Sequence, residues 1–270
     1  MNHNFMNEEF DIIIQGGQSN AEGMGGGEVL KAYTPLSDVL YLEAEKEVVF
    51  GENEMTIRYK DVPFLIRTAE ERFVKDPVHG DSTLGDFSLA FAEQYIQSGL
   101  LKNGRKLLII RGAIGGTGFK KGHWGLKDKV YLKMLEMVDY ALALNPKNRV
   151  IAFLWHQGEH DAFERNNPEQ YKQQLSDMVK DVRIRYGNMP FIAGDFVNEW
   201  KIKNLSICEP IIACMKLVIE ALDNAGFVET SDLLSNNQKT GNGDDIHFCR
   251  ESLYILGDRY FRVYKTIIEA

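Results

Sequence analysis

The sequence predicts an α/β domain built around a mainly parallel sheet, and three observations carry that prediction. Apolar runs of strand length alternate with longer stretches whose apolar residues recur at helical spacing, the pattern of strands joined by crossover helices. Several of these runs are continuously apolar, as expected where helices cover both faces of a sheet. Four polar or glycine-rich segments, GGQSNAEGMGGG, GAIGGTGF, HQGEHD and GDDIHF, follow strand candidates or precede the last helix. Open α/β sheets bind ligands beyond the carboxyl ends of their strands, so these segments are where a site is expected.

The strand candidates, in chain order, are Phe10 to Gln15, Asp38 to Leu42, Lys106 to Arg111, Val150 to His156, Pro190 to Ala193 and Phe227 to Thr230. Between them Tyr131, Leu135, Val138 and Leu142, and again Tyr171, Leu175, Met178 and Val182, repeat at the spacing that lines one face of a helix. Pro168 after Asn167, and Pro210 after Glu209, are expected in first helical turns, where the missing N–H has no intrahelical partner to lose. The last helix is expected from about Glu251 to the C-terminus. The stretch from about Gly51 to Asp86 is the least regular and is read as an insertion or loop region near the site. No repeat, low-complexity tract or proline-rich linker divides the chain, so residues 1–270 are read as one domain.

Composition narrows the function. With 270 residues, 44% of them hydrophobic, the chain can bury one sizeable core. A net charge of -8 argues against nucleic acid, whose binders need a basic stripe to displace counterions. No segment approaches the ~20 apolar residues of a membrane span, and MNHNFMNEEF lacks the basic start and apolar run of a signal peptide. A soluble, cytoplasmic protein is expected, with no membrane partner; a homo-oligomer stays open. Cys208, Cys214 and Cys249 form an odd set without CxxC, so three separate thiols are expected and not a disulfide framework or thiolate metal site.

Ser19 lies a few residues after the first strand, flanked by Gly16 and Gly17, where the chain must turn sharply and expose a side chain. Gln18 and Asn20 flank it, so this is not the G-x-S-x-G elbow of α/β-hydrolases; a helix-capping role is the alternative. His247 has Asp244 three residues before it and Asp245 beside that. A serine hydroxyl needs a base, and the base needs a carboxylate on its other nitrogen, which D-x-x-H on a short loop can supply. GAIGGTGF offers backbone N–H groups to a developing oxyanion. A phosphate loop is not supported, because neither G-x-x-x-x-G-K-[ST] nor a complete G-x-G-x-x-G occurs. WHQGEHD also spells H-x-x-E-H through His156, Glu159 and His160, the inverted zincin pattern in which two histidines share a helix face. Against zinc, the segment follows directly on a strand-like run, and Gly158 would weaken a helix there by ~1 kcal/mol. Gln157 can instead present its amide to an oxyanion.

Taken in this order, GQSN, GGTGF, WHQGEHD and DDIHF resemble the blocks of the SGNH-hydrolase superfamily, specifically its sialate O-acetylesterase and carbohydrate esterase family 6 (acetylxylan esterase-like) branch. The likeness spans about Phe10 to Tyr264 and includes LGDFSLAFAEQY and MPFIAGDF. It implies a three-layer α/β/α sandwich with a five-stranded parallel sheet, flavodoxin-like in outline, and a serine esterase that removes acetyl groups from sugars without metal or cofactor. Carried over, the nucleophile is Ser19, the base His247 and its orienting carboxylate Asp244. The oxyanion donors are the Ser19 amide, the Gly116 amide in preference to Gly115, and the Gln157 side chain, with Gln18, Asn20 and Glu159 in support. Ala21, where methionine is common, and Asp245, where glycine is common, are the departures. The expected partner is a small acetylated carbohydrate: a xylo-oligosaccharide, a sialic acid or a related sugar. The alternatives are an esterase or thioesterase for a non-carbohydrate acyl group, a carbohydrate-binding protein without turnover, and a zinc hydrolase.

Overall fold

The computed structural model describes residues 5–51, 55–75 and 81–270. After a short 3-10 turn the chain runs through β1 (Glu9–Gly17), α1 (Ser19–Glu22), β2 (Val39–Glu43), β3 (Lys46–Phe50), β4 (Met55–Tyr59), β5 (Leu65–Thr68), β6 (Arg72–Val74), β7 (Ser82–Leu84) and α2 (Phe87–Gln97). It continues through β8 (Arg105–Arg111), α3 (Lys129–Leu144), β9 (Arg149–His156), α4 (Glu159–Phe163), α5 (Pro168–Tyr186) and β10 (Phe191–Gly194). The last elements are α6 (Asn198–Lys203), α7 (Leu205–Glu220), β11 (Ala225–Val228), α8 (Asn236–Thr240) and α9 (Arg250–Glu269).

The main sheet has seven strands in the order β11, β10, β9, β1, β8, β2, β5. The first six are parallel, and β5 runs antiparallel to β2. The five strands implied by the resemblance are therefore too few: all six apolar runs became strands. β5 adds a seventh, covering the outer edge of β2, whose backbone groups would otherwise lie unpaired.

Alternate residues of each central strand enter different cores, which is why the runs are apolar throughout. Ile12, Ile14, Leu108 and Ile110 pack with side chains of α3, α5 and α7 on one face. Ile13, Leu107 and Ile109 pack with α2 and α9 on the other, which makes the three layers. Each fully buried aliphatic chain contributes roughly 1.5–3 kcal/mol relative to exposure.

Two expectations need correction. Gly51 to Asp86 is not a loop: β4 to β7 lie within it, β3 pairs with β4, and β6 pairs with β7. Strands of three to five residues, partly exposed on both faces, leave too little alternation to recognise. Residues 52–54 and 76–80 of that stretch lie outside the described residues. Pro210 is also not in a first turn, because α7 begins at Leu205. It stands in the helix interior, where it removes a backbone hydrogen bond. Pro168, by contrast, opens α5 as expected, with Asn167 capping it by accepting from the Gln170 amide at 3.1 Å. Cys208, Cys214 and Cys249 are free and buried.

Candidate active site

The chain reverses direction in sheet order around β1, which has β8 on one side and β9 on the other. The segments leaving the carboxyl ends of these three strands converge there, as switch-point geometry requires. Gly17 makes the exit from β1 possible. Its φ is +128°, and a Cβ on it would lie 2.1 Å from the His156 carbonyl oxygen, so no side chain fits. The Gln18 amide then donates to that same oxygen at 3.0 Å, and Ser19 opens α1.

Ser19 and His247 line one cavity of about 690 Å³. His247 reaches it from the loop between α8 and α9, and Asp244 holds its Nδ1 at 2.9 Å. The other nitrogen, Nε2, is left for proton transfer. Asn236 donates to Asp244 Oδ2 at 2.9 Å, completing the carboxylate's support. Burial alone would push the Asp244 carboxyl up, but the hydrogen bond and charge of His247, with Asn236, bring it below the ordinary carboxylate range. Asp245 instead accepts from Lys203 at 2.8 Å, away from the histidine. Asn20 braces the loop from both sides of His247: its Nδ2 donates to the Ile246 carbonyl (3.1 Å) and its Oδ1 accepts from the Phe248 amide (3.0 Å). Asn236 escaped the sequence reading because it lies eight residues before its partner with nothing local to mark it.

The glycine loop after β8 separates its two candidates. The Gly115 amide is taken by Glu22 Oε2 at 2.7 Å. Gly116, with φ +73°, lines the cavity, and its amide makes no hydrogen bond to another described residue. The Ser19 amide likewise has no acceptor among the described residues, as first-turn amides lack an intrahelical one.

Gln157 is where the geometry overturns the sequence expectation. It is fully buried and absent from the cavity wall. Its amide protons go to Asp161 Oδ2 (2.6 Å) and the Thr117 carbonyl (3.3 Å), so neither is left for an oxyanion. Gln18 lines the cavity instead. Its Oε1 accepts from the His160 amide at 3.0 Å, which identifies that atom as oxygen; its Nε2 has no acceptor among the described residues. Gln157 serves to brace the glycine loop, together with Asp161, which also accepts from the Phe119 and Lys120 amides. Gln157→Ala should therefore strand buried acceptors and cost roughly 1–3 kcal/mol of stability, read as a lower melting temperature.

The zincin spelling also comes apart. His156 ends β9 and His160 lies in α4 beyond Gly158, whose φ is +141°, so the two share no helix face. His156 Nδ1 meets the Tyr260 hydroxyl at 3.1 Å.

A family model described as "carbohydrate esterase, sialic acid-specific acetylesterase" matches residues 9–266. The chain belongs to this family. It is a carboxylic ester hydrolase that removes O-acetyl groups from a carbohydrate. Among solved structures, NanS is similar with a TM-score of 0.74 at 18% identity, covering 98% of this chain and 99% of that one. A protein from Arabidopsis thaliana gives 0.67 at 18% identity, over 95% and 98%. A carbohydrate acetylesterase from Xanthomonas citri gives 0.61 at 17% identity, over 95% of this chain and 56% of that one. These likenesses show the fold. No curated protein matches the chain.

In this carbohydrate esterase Glu159 borders the same cavity as Ser19 and His247. It is fully buried, its Oε1 accepts from Asn20 at 2.8 Å, and its Oε2 has no partner among the described residues. Burial pushes its carboxyl up, against the opposing pull of Asn20 and His247. Burial also pushes neighbouring His156 down to about 3, so that ring is neutral. A carboxyl harder to ionise when folded binds more protons there than when unfolded, so it subtracts stability as pH rises above its unfolded value. Glu159→Gln keeps an acceptor for Asn20 and removes that charge. Its melting temperature relative to wild type should therefore rise from pH 4 to pH 8, by about 2–4 °C for each kcal/mol. A difference independent of pH would show that Glu159 is not held against ionisation.

Proposed function

We propose that Ser19 is the nucleophile of an acetyl transfer in which His247 is the base and Asp244 orients it. The observation that carries this is the His247–Asp244 contact at 2.9 Å on the wall of the cavity that also holds Ser19. Ser19 Oγ attacks the acetyl carbonyl carbon and gives its proton to His247 Nε2. The oxyanion rests on the Ser19 and Gly116 amides and on Gln18 Nε2. The sugar oxygen leaves with the proton from Nε2, and acetyl-Ser19 remains. Water then loses a proton to Nε2 and attacks the acetyl carbon, the bond to Ser19 Oγ breaks as Oγ takes that proton back from Nε2, and acetate is released. The small-molecule partner is an acetylated carbohydrate, with xylo-oligosaccharides and sialic acids as the candidates.

A donor that meets charge only in the transition state should change kcat and not KM. Gln18→Ala should thus lower kcat by roughly 10²–10³ with KM little changed, and a drop confined to KM would remove Gln18 from the oxyanion site. The function itself is tested by acetate release across acetylated mono- and oligosaccharides, with the acyl chain lengthened stepwise alongside. One observation favours a second reading: Val48, Val74, Leu84, Ile114 and Ile246 give the cavity apolar walls, which suit a longer acyl group. Faster cleavage of hexanoyl than acetyl esters would select it.

A further inference from the structure

The space above Ser19 continues past the oxyanion glycine. A second cavity of about 390 Å³ adjoins the first, and Phe50, Gly116 and His160 line both. Its remaining walls are Gly51 and Met55 on one part and Lys121, His123 and Glu164 on another, so it mixes apolar and polar surface and is more polar than the first.

His160 borders it. Its backbone amide is fixed on Gln18 Oε1, while its ring nitrogens make no hydrogen bond among the described residues. Burial pushes the ring's pKa down, against the pull of Asp161 and Glu164, so near neutral pH it is an uncharged imidazole with one donor and one acceptor. His123, 6.5 Å away between ring centroids, is also pushed down by burial, and the Gly118 backbone occupies its Nδ1. Lys121 and Glu164 pair with each other at 3.2 Å and cancel locally. The wall shared with the catalytic cavity carries the exposed ring of Phe50, whose face attracts polarised C–H groups. Neutral donor and acceptor atoms beside an aromatic face match a hydroxylated ring and give an anion no unpaired cation.

We propose that this side cavity is a subsite for a second sugar unit, with His160 hydrogen-bonding one of its hydroxyl groups and Phe50 packing on its face, so that the preferred substrate is an acetylated disaccharide or longer. The proposal rests on the carbohydrate-esterase reading of Ser19 and adds to it the length of the substrate.

Acetate release from two matched pairs tests it: O-acetylated xylose against xylobiose, and O-acetylated sialic acid against sialyl-lactose. In at least one pair the longer sugar should have the higher kcat/KM, by roughly tenfold, the value of one well-placed hydrogen bond with its packing. His160→Ala should erase that ratio, and His160→Gln, which keeps a donor and an acceptor, should restore part of it. A wild-type ratio near one in both pairs overturns the subsite. So does a His160→Ala variant that slows both members of a pair equally. Absence of acetate from every sugar would instead count against the esterase reading itself.

Discussion

Ser19→Ala lowers kcat for acetate release by roughly 10⁴-fold or more, leaving only what the oxyanion amides and binding supply. The size of the loss follows from the two-step chemistry: without Oγ there is no acetyl-enzyme, and water must attack unaided by a covalent intermediate. The fold should survive. Ser19 Oγ makes no hydrogen bond among the described residues, and alanine is a better helix former in the first turn of α1. Unchanged circular dichroism and melting temperature, together with loss of covalent labelling by an organophosphate, would complete the result. More than a few per cent of wild-type kcat in a clean preparation would remove Ser19 as the nucleophile.

Asp244→Asn should cost roughly 10³–10⁴ in kcat, since an amide nitrogen facing His247 Nδ1 favours the tautomer whose Nε2 carries a proton and cannot accept one. Asp245→Asn should cost little, because it removes only a solvent-facing pair with Lys203, and such pairs contribute about 0–1 kcal/mol. Equal losses in the two variants would mean that the loop needs both charges and not one oriented base. pH supplies an independent readout. Asp244 titrates below the ordinary range when folded, so it stabilises the fold above its unfolded value of about 3.9 and that stability is lost as pH falls through the folded value. The gap in stability between wild type and Asp244→Asn should therefore close below about pH 4.

Much of this was legible in the sequence because its causes are local. Continuous apolar runs mark strands covered on both faces, and six of them became the six parallel strands. Gly17 before Ser19 reports a turn that only glycine can make. Asp244 and His247 lie three residues apart, so one short loop orients the base, and even the choice over Asp245 followed the expected spacing. Gly116 was preferred to Gly115, and what separates the two in the fold is invisible in sequence: Glu22, from α1, occupies the Gly115 amide.

What tertiary structure alone decided concerns partners far apart in the chain. A glutamine amide has the same chemistry at position 18 or 157, and motif reading chose Gln157. The choice depends on which amide is already consumed, and Asp161 and Thr117 consume that of Gln157 while the His160 amide turns Gln18 towards the cavity. Asn20 clamping Ile246 and Phe248 spans more than two hundred residues. The walls built from β3, β6 and β7 come from strands too short to show a period. Sequence determined the strands, the turn, the nucleophile candidate and the pairing of His247 with Asp244, because backbone sterics and near-neighbour contacts set them. Which glutamine amide stays free, the cavity walls and the second cavity beside His160 depend on how buried hydrogen-bonding capacity is shared among distant segments, and only the folded chain divides it.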